Sequence, residues 1–116
     1  MTNQPMARYP TEPELDKIRE WPHTDPLGWL DFIRSVWGWE NWGWHRTQRR
    51  LYFSTGGWSG NEDIIGAMRD NWILWHLGFT LHRRGGHFVF DLTRMRELQS
   101  KEKDAAWKPT GLGDVP

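Results

Sequence analysis

The chain contains no cysteine, which excludes disulfide frameworks, thiolate zinc sites and cysteine nucleophiles together. It has no window approaching the roughly 18 apolar residues that a membrane span requires, and no apolar N-terminal stretch of the signal-peptide kind. A cytoplasmic protein is the expectation. Net charge is missing too, since 15 Lys and Arg balance 15 Asp and Glu. A whole-protein basic footprint for nonspecific DNA binding is therefore absent. At 116 residues the chain has room for one domain.

What is present is unevenly placed. Residues 1–40 carry four basic and seven acidic side chains, whereas residues 41–96 carry eight basic and four acidic. The middle segment is thus locally positive. Ten tryptophans, five phenylalanines and two tyrosines make the chain tryptophan-rich. Each buried aromatic ring removes a large area from water, so a small core can be built from few of them.

Residues 1–10 lack periodicity and read as a flexible arm. Thr11-Glu12-Pro13-Glu14 has the form of a capping box with proline in the first turn. Leu15, Ile18 and Trp21 then recur at helical spacing up to Pro22. Asp25-Pro26 opens a second helix, whose apolar stripe is Trp29, Phe32, Ile33 and Val36. Residues 37–44 hold two Trp-Gly-Trp units and read as a turn or irregular segment. Alternation from Arg50 to Ser54 predicts a strand with Leu51 and Phe53 on one face and Arg50, Tyr52 and Ser54 on the other. The Gly-rich loop Ser54-Thr55-Gly56-Gly57-Trp58-Ser59-Gly60-Asn61-Glu62 follows. Ser59 and Glu62 match a capping box, so a helix is expected from about Gly60. Its buried stripe is expected to be Ile64, Ile65, Met68, Trp72 and Trp75, and Gly78 ends it.

Phe79 to Leu92 predicts a hairpin closed by a two-residue Gly85-Gly86 turn. Arg84 then faces His87, His82 faces Val89 and Leu81 faces Phe90. That register puts Phe79, Leu81, Phe88, Phe90 and Leu92 on the core side, and Thr80, His82, Arg84, His87 and Asp91 on the other. A polar helix from Thr93 to about Lys103 precedes a tail, with Trp107 expected to dock back. The predicted class is α+β: one domain over residues 11–98 with a three-stranded sheet covered by helices, and a polar helix end and flexible tail over residues 99–116.

Two motifs could hold a ligand. Glycines before a helix N-terminus let an anion approach backbone N–H groups, and Ser54, Thr55, Gly56, Gly57 and Trp58 are the residues so placed. Neither the P-loop nor the Gly-x-Gly-x-x-Gly spacing is met, and the same residues also read as a plain helix cap. Arg83, Arg84 and His87 at the hairpin tip can grip phosphate or carboxylate, or simply keep a sheet edge soluble. Arg49, Arg50 and His45 would add to a positive locus. Trp39, Trp42 and Trp44 are candidate rings for a partner surface, with core packing as the alternative. The histidines match no metal-ligand spacing, so neither metal nor cofactor is expected. Ser54, Ser59, His87 and Asp91 supply the residue types of a small hydrolase, but no Gly-x-Ser-x-Gly elbow is present.

The Gly-rich loop, followed by Arg83-Arg84-Gly85-Gly86-His87 and an aromatic strand, resembles small uncharacterised proteins of tailed bacteriophages and prophages over residues 50–92. The resemblance implies an accessory protein in the cytoplasm of an infected host cell, and no site residue is carried over. The leading expectation is a non-enzymatic binding protein for a nucleotide or nucleic acid. The alternative is an inhibitor or adaptor that contacts a host protein through its tryptophans.

Overall fold

The computed structural model describes residues 8–107, with side chains through residue 101. It is an α+β domain whose sheet has four strands instead of three. Helices α1 (Glu12–Arg19) and α2 (Pro26–Val36) lead, followed by the short α3 (Glu40–Gly43). Strands β1 (Trp44–Arg46) and β2 (Arg50–Ser54) precede α4 (Ser59–Asp70) and α5 (Trp72–Gly78). Strands β3 (Phe79–Arg83) and β4 (His87–Asp91) form the hairpin, and α6 (Thr93–Trp107) closes the chain. The sheet is antiparallel throughout, in the order β1-β2-β4-β3.

The N-terminal caps form as their sequences dictate. Thr11 Oγ1 accepts from Glu14 N–H at 3.3 Å, and Glu14 Oε1 accepts from Thr11 N–H at 2.9 Å. Asp25 caps α2 by accepting from Gly28 N–H at 3.2 Å. The Gln99 side chain then ties α6 to that cap, receiving from Leu27 N–H at 2.9 Å and donating to Asp25 Oδ1 at 3.0 Å. Of the arm, residues 8 and 9 contact the domain: Arg8 pairs with Glu14 at 2.8 Å, and the Tyr9 ring packs against Trp58. Trp107, expected to dock, has a side chain outside the described residues.

The extra strand comes from the tryptophan segment. Trp44 pairs with Phe53 and His45 with Tyr52. Thr47 turns the chain between them, its hydroxyl accepting from Arg49 and Arg50 N–H at 3.3 and 3.0 Å. This Ser/Thr-type turn carries no glycine or proline, so period and punctuation alone do not reveal it.

One face of the sheet is the floor of the core. Leu51, Phe53, Phe88 and Phe90 lie there, packed against Ile18, Trp29, Leu30, Ile33, Ile64, Met68, Leu74 and Trp75 from the helices. Phe90 contacts Trp29 and Trp75, and Phe53 stacks on Phe88 with ring centroids 5.4 Å apart. Burying a side chain of this size is worth about 1.5–3 kcal/mol, so the aromatic layer dominates the core.

Three local expectations are corrected. The helix after the Gly-rich loop does not run through to Gly78 but breaks at Asn71 (ψ 69°), where α4 ends and α5 begins. Asn71 is buried and donates to the carbonyls of Ile18 and Trp21 at 3.1 and 3.2 Å. This bond to α1 resets the helical phase, so Leu74 and Trp75 are buried and Trp72 is 63% exposed. Ser59 and Glu62 form no capping box: Trp58 is the N-cap, without a side-chain bond. Ser59, already inside the helix, pairs its hydroxyl with that of Tyr9 at 2.8 Å.

The hairpin register is the third. Arg83 faces His87, His82 faces Phe88 and Leu81 faces Val89, so the turn is the three-residue Arg84-Gly85-Gly86. Gly86 is held by its neighbour: its carbonyl accepts from Thr55 N–H at 3.0 Å, and a Cβ on it would strike the Thr55 hydroxyl. A one-residue shift exchanges faces, which moves His82 to the core side and Leu81 to the open side. A bulge between Phe79 and Leu81 then returns Phe79 to the core side, opposite Phe90.

Candidate functional site

The Gly-rich loop and the hairpin tip meet at one end of the sheet. Strand pairing sets Ser54 opposite His87, and the Ser54 hydroxyl lies 2.7 Å from His87 Nδ1. Thr55 N–H donates to Gly86 across the same end. Gly56 and Gly57, at φ 65° and 75°, turn the chain from β2 into α4.

Within the loop the backbone donors are largely committed. Gly57 N–H donates to the Thr55 hydroxyl and Trp58 N–H to the Thr55 carbonyl, both at 3.2 Å. Thr55 itself is buried. The Trp58 ring lies against Gly60 and Gly38, where a Cβ on either glycine would collide with it, and so covers the first turn of α4. Buried Asn61 binds the joint from below: it accepts from Gly38 N–H at 2.8 Å and donates to the carbonyls of Gly38 and Thr55 at 3.0 and 3.3 Å. Ser54 to Trp58 thus serve first as a joint, and the charged or titratable side chains left open at this end are Arg83, Arg84 and His87. All three are exposed, and neither arginine forms an ion pair among the described residues.

The tryptophan segment divides. Trp37 and Trp44 are buried and pack on Phe53. Trp44 therefore belongs to the core rather than to a partner surface, because strand pairing opposite Phe53 points it inward. Trp42 is 61% exposed, with its ring over Gly56. Trp39 sits edge-on to Trp58 at 5.4 Å, with its own backbone in the left-handed region at φ 55°. That conformation is strained for a bulky residue.

The other face of the sheet was not anticipated as a surface in its own right. No helix among the described residues covers it. Its middle row, set by the register, is His45, Tyr52, Val89 and Leu81; the row toward the hairpin tip is Ser54, His87 and Arg83; the row beyond is Arg50 opposite Asp91. Tyr52 is 39% exposed and Leu81 37%. His45 lies beside Tyr52 with ring centroids 6.1 Å apart. A shallow cavity of about 390 Å³ runs between Tyr52, Ser54, Arg83, His87 and Val89. The signal for this face was the alternation Arg50-Tyr52-Ser54; what hid it was the hairpin slip, which left Leu81 assigned to the core.

The face is cationic and aromatic. Its one carboxylate, Asp91, sits below the usual carboxylate range because Thr93 N–H donates to it at 2.9 Å, with Arg50 and Arg49 adding positive charge nearby. That same bond commits Asp91 to the start of α6. A Ser54–His87–Asp91 relay is not assembled: Asp91 lies four residues along β4 from His87 and accepts from Thr93 instead. Among the described residues no three His, Asp or Glu side chains gather closely enough to hold a metal ion, and no helix is long and apolar enough to cross a membrane. No family model matches this chain, and no match is found to a curated protein or to a solved structure.

Proposed function

We propose that this protein binds single-stranded nucleic acid on the open face of its sheet, with Arg83, Arg84 and His87 at the hairpin tip taking phosphate. The observation that carries the reading is the cross-strand arrangement of an exposed Tyr52 ring between Arg50 on one side and Arg83 and His87 on the other. A flat aromatic ring on a sheet stacks a base at about 1–3 kcal/mol without reading its sequence. Flanking guanidiniums neutralise the backbone that runs past it. A duplex offers no free base face to such a ring.

The test is fluorescence anisotropy with a labelled single-stranded oligonucleotide at fixed salt. Tyr52→Ala is expected to weaken binding about tenfold, in line with one lost stacking contact. Joint replacement of Arg83 and Arg84 by Ala should weaken it further and flatten its salt dependence. Equal affinity for duplex and single strand, or no loss in either variant, removes the reading. Binding of a free nucleotide at the same residues would narrow the ligand to a mononucleotide.

A second reading rests on Trp42, whose ring stands 61% exposed beside the Gly-rich loop. An inhibitor or adaptor would use it, with Trp39, as an anchor on a host protein; the resemblance to phage accessory proteins fits that role. A purified partner whose binding is lost in Trp42→Ala, with the oligonucleotide affinity unchanged, would establish it.

A further inference from the structure

The helix side of the hairpin holds a separate cleft, of about 350 Å³, between α4 and strands β3 and β4. Its size falls within the range of small-ligand sites. One wall is the end of a ring stack that crosses three strands. Phe53 lies on Phe88 at 5.4 Å and 13°, and His82 lies on Phe88 at 4.1 Å and 9°. The His82 ring is the exposed end of that stack.

The opposite wall is the face of α4 that carries Glu62, Gly66 and Arg69. These positions are four and three residues apart, so they share one side of the helix, and Glu62 and Arg69 lie about 10 Å apart along its axis. The Arg69 guanidinium sits 5.3 Å from the Trp75 ring centroid and 5.9 Å from that of Phe88. A guanidinium beside aromatic rings keeps N–H donors that an anion can take. Among the described residues neither Arg69 nor Glu62 has an ion-pair or hydrogen-bonded side-chain partner. Two opposite, unused charges therefore stand at the two ends of one cleft.

Gly66 lies between them, in the interior of α4 and exposed. A Cβ there would meet nothing within 4 Å, so neither packing nor backbone conformation requires glycine. Alanine would be the better helix former at this position. What glycine provides is clearance on the wall of the cleft.

We infer that the cleft binds a small anion that carries a planar, amino-bearing ring, the class to which amino-bearing mononucleotides belong. The anionic group meets Arg69, the plane lies along His82, and Glu62 accepts from the amino group. The site is independent of the open face, because His82 and Arg83 point to opposite sides of the sheet.

The experiment is an amide-resolved NMR titration of the full chain with adenosine monophosphate, inosine monophosphate and inorganic phosphate. Saturable shifts at Gly66, Arg69 and His82 are expected with adenosine monophosphate, at about tenfold higher affinity than with inosine monophosphate, which has an oxo group in place of the amino group. Glu62→Gln should abolish that difference, and Arg69→Gln should cut affinity at least about tenfold. Gly66→Ala should raise the Tm by about 4 °C, consistent with gained helix propensity, while weakening binding. An unchanged affinity in Gly66→Ala, shifts confined to Arg83 and His87, or no saturable shift with any of the three would overturn the inference.

Discussion

At the residue scale, Asn61 is the clearest case of a polar group that organises the molecule. Its amide is buried and makes three hydrogen bonds that join α4 to the Gly38 and Thr55 segments. Removing it leaves those buried backbone groups without partners, which costs more than the bonds alone. Asn61→Ala is expected to lower unfolding free energy by about 3 kcal/mol, read as a shifted urea midpoint. A loss below about 1 kcal/mol would mean that water replaces the amide. From sequence, Asn61 stood inside an apparent capping box and drew no separate notice. The box belongs to Ser59 and Glu62 by spacing only; Trp58 takes the cap position, and the Ser59 hydroxyl pairs with that of Tyr9, a tertiary contact invisible to local pattern. Thr11 and Glu14 form their box even though Arg8 also pairs with Glu14, because the carboxylate accepts from both.

At the scale of elements, α5 shows where periodicity stops being informative. Steps of three and four carry Ile64, Ile65, Met68 and Trp75 correctly to the core, yet place Trp72 there too. The break at Asn71 turns Trp72 outward, and the carbonyls of Ile18 in α1 and of Trp21 just beyond it explain the break. Trp75→Ala should therefore cost about 3–5 kcal/mol, since Trp75 packs on Phe79, Phe88 and Phe90. Trp72→Ala should change stability by less than about 0.5 kcal/mol. Equal losses in thermal melts of the two variants would show that α5 continues the α4 stripe after all. The hairpin teaches the same lesson. Its existence was plain from Phe79-to-Leu92 alternation and the two glycines, but its register depended on Thr55 occupying the space beside Gly86. Strand β1 escaped notice because three residues, one of them a tryptophan already assigned to a turn, are too few for a period to emerge.

For the whole molecule, the consequence of zero net charge is that local pairs set the response to acid. Glu14 is drawn down to about 2, chiefly by the Arg8 guanidinium and then by Thr11 N–H. Asp91 is also lowered, chiefly by Thr93 N–H. A carboxylate whose folded value lies below its unfolded value stabilises the fold above the unfolded value and loses that contribution as pH falls toward the folded one. Stability should therefore decline between about pH 4.5 and 2, and Glu14→Gln should flatten that decline in urea titrations at stepped pH. A decline of unchanged steepness would place the acid-sensitive groups elsewhere. At this scale the class was legible: an α+β domain with one aromatic core. The open face was not. It required four strands in the order β1-β2-β4-β3, and strand order leaves no local trace in a chain of this length.

The parallel contact of His82 with Phe88 has a spectroscopic consequence. A ring held 4.1 Å above another, tilted by only 9°, lies in the shielding cone of its circulating electrons. The carbon-bound protons of His82 should resonate well upfield of those of the other four histidines. That single displaced signal would report, in one-dimensional proton spectra of unlabelled protein, whether the hairpin holds its slipped register in solution.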